Sequence, residues 1–171
     1  MGNSTGRYIS GVLAAASMAT PAFAEPPALV TAYAQQLVRQ CGGTLTPTVA
    51  AQLLQQIDLN GDKLDDWVVD ASRFPCPTRP AAFKDEGYQV TIFMGRADGR
   101  ALPSFQRVGF GSRIEGKPET GYSLWLTLGG RDCGDESSKA RCDRRVDWRT
   151  KEQRLDLVDP SSKPAGVSPK K

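Results

Sequence analysis

Histidine is absent from this 171-residue chain. That absence removes the Ser-His-Asp and Cys-His nucleophilic arrangements, and with them the imidazole ligands of most zinc sites. The four cysteines show no C-x2-C to C-x4-C spacing, so a zinc ribbon is excluded as well. Beyond residue 24 no apolar run approaches the roughly 20 residues that span a bilayer as a helix, so no membrane span is expected. A clustered basic face is also missing. The 22 Lys and Arg and 19 Asp and Glu are spread along the whole length at a formal net charge of +3, which argues against nucleic acid as a partner. The Gly-rich pieces Gly109-Phe110-Gly111 and Gly129-Gly130 lack the Lys-Ser/Thr or strand-Gly-helix context of a phosphate loop and read as turns or bulges.

What is present begins with an export signal. Arg7 precedes the small and apolar run Ile9 to Ala19, and Ala22-Phe23-Ala24 has the small-x-small form of a cleavage site that would leave Glu25 first. Ser10, Gly11 and Ser17 interrupt the run, which weighs against a membrane anchor. No Cys stands at the cleavage point, which weighs against a lipoprotein. The expected organisation is a signal peptide over 1–24, a single domain over 25–158 and a disordered tail over 159–171, rich in Pro, Ser and Lys. The expected location is periplasmic or secreted.

In an exported chain an even number of cysteines reads as a disulfide framework. Cys41, Cys76, Cys133 and Cys142 allow three pairings; closeness in the chain and intervening polar turn formers favour Cys133 with Cys142, and hence Cys41 with Cys76. In the loop-entropy model the shorter ring contributes about 2.5 to 3 kcal/mol and the longer about 4.

Ala28 to Gln40 carries Leu29, Tyr33 and Leu37 at four-residue intervals, with Cys41 next, which predicts an amphipathic helix stopped by Gly42-Gly43. After Thr46-Pro47, Val49 to Ile57 reads as a short helix passing into a strand at Ile57. Trp67-Val68-Val69, Tyr88 to Met94, Phe105 to Phe110 and Tyr122 to Leu128 read as strands, and Val146 to Trp148 with Arg154 to Val158 as a hairpin. The expectation is an α+β fold in which the N-terminal helix packs on a mainly antiparallel sheet of about six strands, with two disulfides. No internal repeat is visible.

Between the strand at Ile57 and Trp67 lies Asp58-Leu59-Asn60-Gly61-Asp62-Lys63-Leu64-Asp65-Asp66. Calcium takes six to eight oxygen ligands, and a loop whose alternate residues point inward supplies them. Here the candidates are Asp58, Asn60, Asp62, the Leu64 carbonyl and Asp66. Two departures separate this EF-hand-like loop from an EF-hand: Lys63 replaces the Gly at position 6, and Val69 replaces the bidentate Glu at position 12. The alternative is a plain turn without metal, since Asn-Gly-Asp is good turn chemistry.

Followed by Trp67-Val68-Val69, the loop resembles the calcium loop of FG-GAP and VCBS-type repeats over about a dozen residues. That resemblance implies side-chain ligation by Asp58, Asn60, Asp62 and Asp66 and a structural or adhesive role without catalysis. Those repeats usually carry Gly where Lys63 stands and occur in several copies. The order of features is also similar to small exported proteobacterial proteins of uncharacterised type: Cys-Gly-Gly after a helix, an acidic loop, a second Cys, then Gly- and Trp-rich strands with a late Cys pair.

For catalysis only paired carboxylates remain, drawn from Asp70, Asp85, Glu86, Asp135 and Glu136. Trp67, Trp125 and Trp148 read as core, with a stacking face as the sharper alternative. Arg141, Arg144, Arg145, Arg149 and Lys151 alternate with Asp143 and Asp147 and read as a charge-paired strand face, or else as a patch for an acidic partner. The expected function is a small exported calcium-binding structural or interaction module, not an enzyme, whose partner is a protein or envelope component. Two alternatives stand: an envelope inhibitor that presents the Cys133 to Cys142 loop to a target enzyme, and a carboxylate-based cell-wall hydrolase.

Overall fold

The structure is a computed structural model and describes residues 25–76, 87–117, 121–134 and 140–158. The expected signal peptide (1–24) and the expected tail (159–171) lie outside the described residues. Two helices, α1 (Ala28–Gln40) and α2 (Pro47–Leu53), precede eight strands. These are β1 (Leu54–Ile57), β2 (Asp66–Asp70), β3 (Tyr88–Gly95), β4 (Ala101–Gly109), β5 (Gly111–Lys117), β6 (Gly121–Gly129), β7 (Arg141–Arg149) and β8 (Arg154–Val158). They form two four-stranded antiparallel meanders, β1-β2-β3-β4 and β5-β6-β7-β8.

The expectation of one sheet of about six strands is thereby corrected to two sheets of four. The physical reason lies in β5 and β7. Gly111–Lys117 offers Ile114 as its only large apolar side chain, and Arg141 to Arg145 is mostly charged, so neither shows an alternating apolar pattern. Pairing with the apolar β6 creates them as strands. The helix is also not terminal in the chain: α1 begins at Ala28.

Helices and sheets stack in layers around two cores. Val30, Ala34 and Val38 of α1 pack with Leu53, Leu54, Trp67, Val69, Phe93 and Ala101 on one face of the first sheet. On its other face Ile57, Val68, Val90, Ile92 and Met94 meet Leu124, Leu126, Leu128, Val146 and Leu155 of the second sheet. Strand β2 is therefore covered on both sides, and all five of its residues are buried. This is why Trp67-Val68-Val69 reads as an unbroken apolar run rather than an alternating one.

The buried stripe of α1 is rotated by one residue from the expected one. Leu29 is exposed while Val30 is fully covered, and Tyr33 and Leu37 flank the stripe rather than centre it. Tyr33 is drawn to the stripe's edge by a polar contact, since its hydroxyl pairs with Thr91 Oγ1 at 2.7 Å while its ring meets Phe93 edge-on. The helix ends where Gly42 takes φ 74 and Gly43 N donates back to the Val38 carbonyl at 3.0 Å, a glycine-dependent C-terminal cap.

Both expected disulfides are present. Cys41–Cys76 ties the end of α1 to the chain beyond the 3-10 turn Ala71–Arg73, and Cys133–Cys142 ties the 3-10 turn Gly130–Cys133 to β7. Only Phe110 separates β4 from β5, and its N–H donates to the Thr127 carbonyl at 2.7 Å, so one nearly continuous stretch of chain passes from one sheet to the other. Gly109 makes that passage feasible: a Cβ there would lie 2.8 Å from the Thr127 carbonyl oxygen.

Candidate functional site

The acidic loop joins β1 to β2 across the edge of the first sheet, where Ile57 pairs with Asp66. Its conformation is held by its own side chains. Asp58 accepts from Gly61 N at 2.8 Å through Oδ1 and from Lys63 N at 3.0 Å through Oδ2. Asn60 Oδ1 accepts from Asp62 N at 3.0 Å, and its Nδ2 donates to Asp62 Oδ2 at 2.9 Å. Asp62 Oδ1 accepts from Leu64 N at 2.8 Å. Gly61 and Lys63 both adopt left-handed backbone, with φ 77 and φ 69. For Lys63 this is a strained position that glycine would take freely.

Asp66 closes the loop from below. Fully buried at the start of β2, it accepts from Leu59 N at 2.9 Å and from Gly95 N at 2.8 Å. Its carboxyl is pushed up to about 6, chiefly by burial and with a further rise from the charges of Asp62 and Asp58, against the lowering effect of the two backbone donors. Gly95 is required opposite it, because a Cβ at that position would overlap the Asp65 carbonyl oxygen.

Asp70 mirrors Asp66 at the other end of β2. It is equally buried and accepts from Ser72 N and Ser112 N, both at 2.9 Å, and from Ser112 Oγ at 2.5 Å. Spaced by four along a strand, Asp66 and Asp70 share the face that carries Val68. They therefore bracket the inter-sheet core, and Asp70 binds directly to β5 of the second sheet. The sequence reading counted Asp70 only as a candidate acid and missed this role. Its signal was the symmetry of Asp66-Trp67-Val68-Val69-Asp70, two acids enclosing an apolar run that is too short to reach solvent at both ends.

The structure places Asp58, Asn60, Asp62 and Leu64 in the β1–β2 loop and Asp66 at the first position of β2. Each carboxylate oxygen of the loop that accepts a backbone N–H keeps a further lone pair, so the donor set fits a hard cation in chemistry. In this conformation, among the described residues, no three acidic or cysteine side chains converge on a point that could hold a metal ion. Asp62 and Asn60, now paired to each other, would have to turn toward the ion. Among the described residues no ion pair joins a cation to Asp58, Asp62 or Asp66.

A second polar assembly covers the outer face of the second sheet. Trp125 lies between Arg113, 4.9 Å from its ring centre, and Arg145, 5.9 Å away. Arg113 pairs with Glu115 at 2.8 Å and with Asp143 at 2.6 Å, while Arg145 grips Asp147 through two bonds of 2.6 and 2.9 Å. Asp143 also accepts from Thr127 Oγ1 at 2.8 Å. That hydroxyl and the Arg113 guanidinium hold its carboxyl below the usual range. Arg149 and Arg154 share Asp156. Arg144 points to the opposite face and donates to the Asp132 carbonyl at 3.2 Å, Arg141 stacks on Phe110, and Lys151 sits in the exposed hairpin turn. Of the five basic residues singled out in the sequence, Arg145 and Arg149 form ion pairs, with Asp147 and Asp156.

Of the three tryptophans, Trp67 is core and Trp148 packs against the inter-sheet core, whereas Trp125 belongs to this outer face. Its neighbours in sequence are apolar, and only cross-strand pairing with Arg113 and Arg145 reveals its surroundings. Asp85, Glu86, Asp135 and Glu136 lie outside the described residues, as do 135–139 of the Cys133 to Cys142 loop. No family model, curated protein or solved structure matches the chain.

Proposed function

We propose that this protein is an exported, non-catalytic structural or interaction module whose β1–β2 loop takes up calcium through Asp58, Asn60, Asp62, the Leu64 carbonyl and Asp66. The observation that carries the reading is a concentration of negative charge: four carboxylates, Asp58, Asp62, Asp65 and Asp66, fall within nine residues, Asp66 is fully buried, and among the described residues no ion pair joins a cation to Asp58, Asp62 or Asp66. A divalent cation relieves that repulsion and fixes the hairpin beside Trp67. Two disulfides and the absence of any described helix long and apolar enough to cross a membrane agree with a periplasmic or secreted location. A non-catalytic role is supported by Asp70, whose carboxylate is buried and committed to three donors.

Titration calorimetry with calcium on the folded chain is expected to give one site with measurable heat. At a hundredfold excess over Kd, calcium should add about 2.7 kcal/mol to stability. Asp62→Ala should abolish both effects, and Lys63→Gly should strengthen binding by removing strain and a positive charge. A flat titration together with a melting temperature unmoved by chelator would refute the calcium reading.

A further inference from the structure

We propose that Asn60–Gly61 is a self-modifying site, at which the loop converts its own asparagine to aspartate or isoaspartate with loss of ammonia. This inference does not depend on calcium. In the reaction the backbone nitrogen of Gly61 attacks Cγ of Asn60, forming a C–N bond and closing a five-membered succinimide ring. The Cγ–Nδ2 bond breaks and Nδ2 leaves as ammonia, carrying the proton lost from Gly61 N. Water then opens the ring at either carbonyl.

Three atoms of that sequence, Gly61 N, Asn60 Oδ1 and Asn60 Nδ2, are each held by a hydrogen bond within the loop. Gly61 N–H is bonded to Asp58 Oδ1 at 2.8 Å, a carboxylate placed to accept its proton. Asn60 Oδ1, on which negative charge develops, accepts from Asp62 N–H at 3.0 Å in the manner of an oxyanion donor. The departing Nδ2 sits 2.9 Å from Asp62 Oδ2. Gly61 is exposed, and nothing lies within 4 Å of where a Cβ would be, so water has access to this side of the turn.

The other dipeptide capable of the same cyclisation among the described residues, Asp98–Gly99, is arranged the opposite way. Gly99 N donates to the Arg96 carbonyl at 2.9 Å, and Arg100 holds Asp98 ionised through contacts of 2.8 and 2.6 Å, which makes its carboxylate a poor electrophile. The product at residue 60 alters the loop in one of two senses. Aspartate adds a fourth carboxylate to the alternate positions, while isoaspartate lengthens the backbone by one carbon and shifts Asp62 and Leu64 out of register.

The test is incubation of the folded, disulfide-bonded chain with chelator in water labelled with heavy oxygen, followed by digestion and mass spectrometry. Label is expected at residue 60 about tenfold or more faster than in a synthetic peptide of residues 58–66, a modest share of what one positioned base and one oxyanion donor supply. Position 98 should stay essentially unlabelled over the same period. Asp58→Ala, with its fold checked by circular dichroism, should fall to the peptide rate. Conversion in the folded chain no faster than in the peptide would overturn the proposal, and that comparison needs no variant. A correctly folded Asp58→Ala chain reacting at the full rate would overturn the part given to Asp58.

Discussion

Asp70 accepts from three donors at once, two of them on β5, so the carboxylate is a fastening between the sheets rather than a reagent. Asp70→Ala leaves the part-buried N–H groups of Ser72 and Ser112 without their acceptor and is expected to cost about 2–4 kcal/mol in urea denaturation. A double-mutant cycle with Ser112→Ala should return a coupling of about 1.5–3 kcal/mol; a value near zero would show that the bond contributes little. Asp143 provides a pH signature on the outer face. Its folded carboxyl is held below the unfolded value, so its contribution is present above about pH 4 and fades as the pH drops through the folded value. Stability measured from pH 5 downward should therefore fall less steeply in Asp143→Asn than in the parent chain. Equal slopes would mean that Thr127 and Arg113 do not favour the charged form.

At the scale of elements, the two disulfides close loops of very different length, with sequence separations of 35 and 9. Replacing both cysteines by serine in the Cys41–Cys76 pair should cost about 4 kcal/mol, and in the Cys133–Cys142 pair about 2.5 to 3, by chain entropy. Denaturation midpoints in the reverse order would show that strain or packing outweighs loop length. Strands β3 and β6 were legible because their apolar residues alternate, and α1 was legible from its helix formers and the glycines that end it. Its buried face was misread by one position because Leu29 and Val30 are equally apolar, and only the shape of the sheet chooses between them. Strand β5 was invisible because its stability comes from β6, a partner beyond its own segment. The division into two sheets was hidden for the same reason: Gly109-Phe110-Gly111 was legible as a turn or bulge, but nothing local shows that the chain changes sheets there. In the loop, spacing picked out the oxygen-bearing residues now proposed as calcium ligands. The fixed hydrogen bonds of Asp58, Asn60 and Asp62, and the dependence of Asp66 on Gly95, arise from a fold that brings β3 against β2.

For the whole molecule, β2 is the shared wall of both cores, with Trp67 and Val69 on one side and Val68 on the other. Unfolding either layer exposes a strand that the other layer needs. Tryptophan fluorescence and far-ultraviolet circular dichroism should therefore give one coincident urea transition. Two separated midpoints would show that the helix-covered sheet and the second sheet melt independently.

The near-continuous passage from β4 through Phe110 into β5 also sets the order in which a growing chain becomes self-sufficient. When the first sheet has emerged from the ribosome, Val68, Val90, Ile92 and Met94 still face water, because Leu124, Leu126 and Leu128 have not yet arrived. For that interval the half-made protein presents a sticky apolar wall of the kind that holdase chaperones shield. Synthesis of this chain therefore has a vulnerable moment, which lasts until β6 follows β5 round the corner and closes the wall from behind.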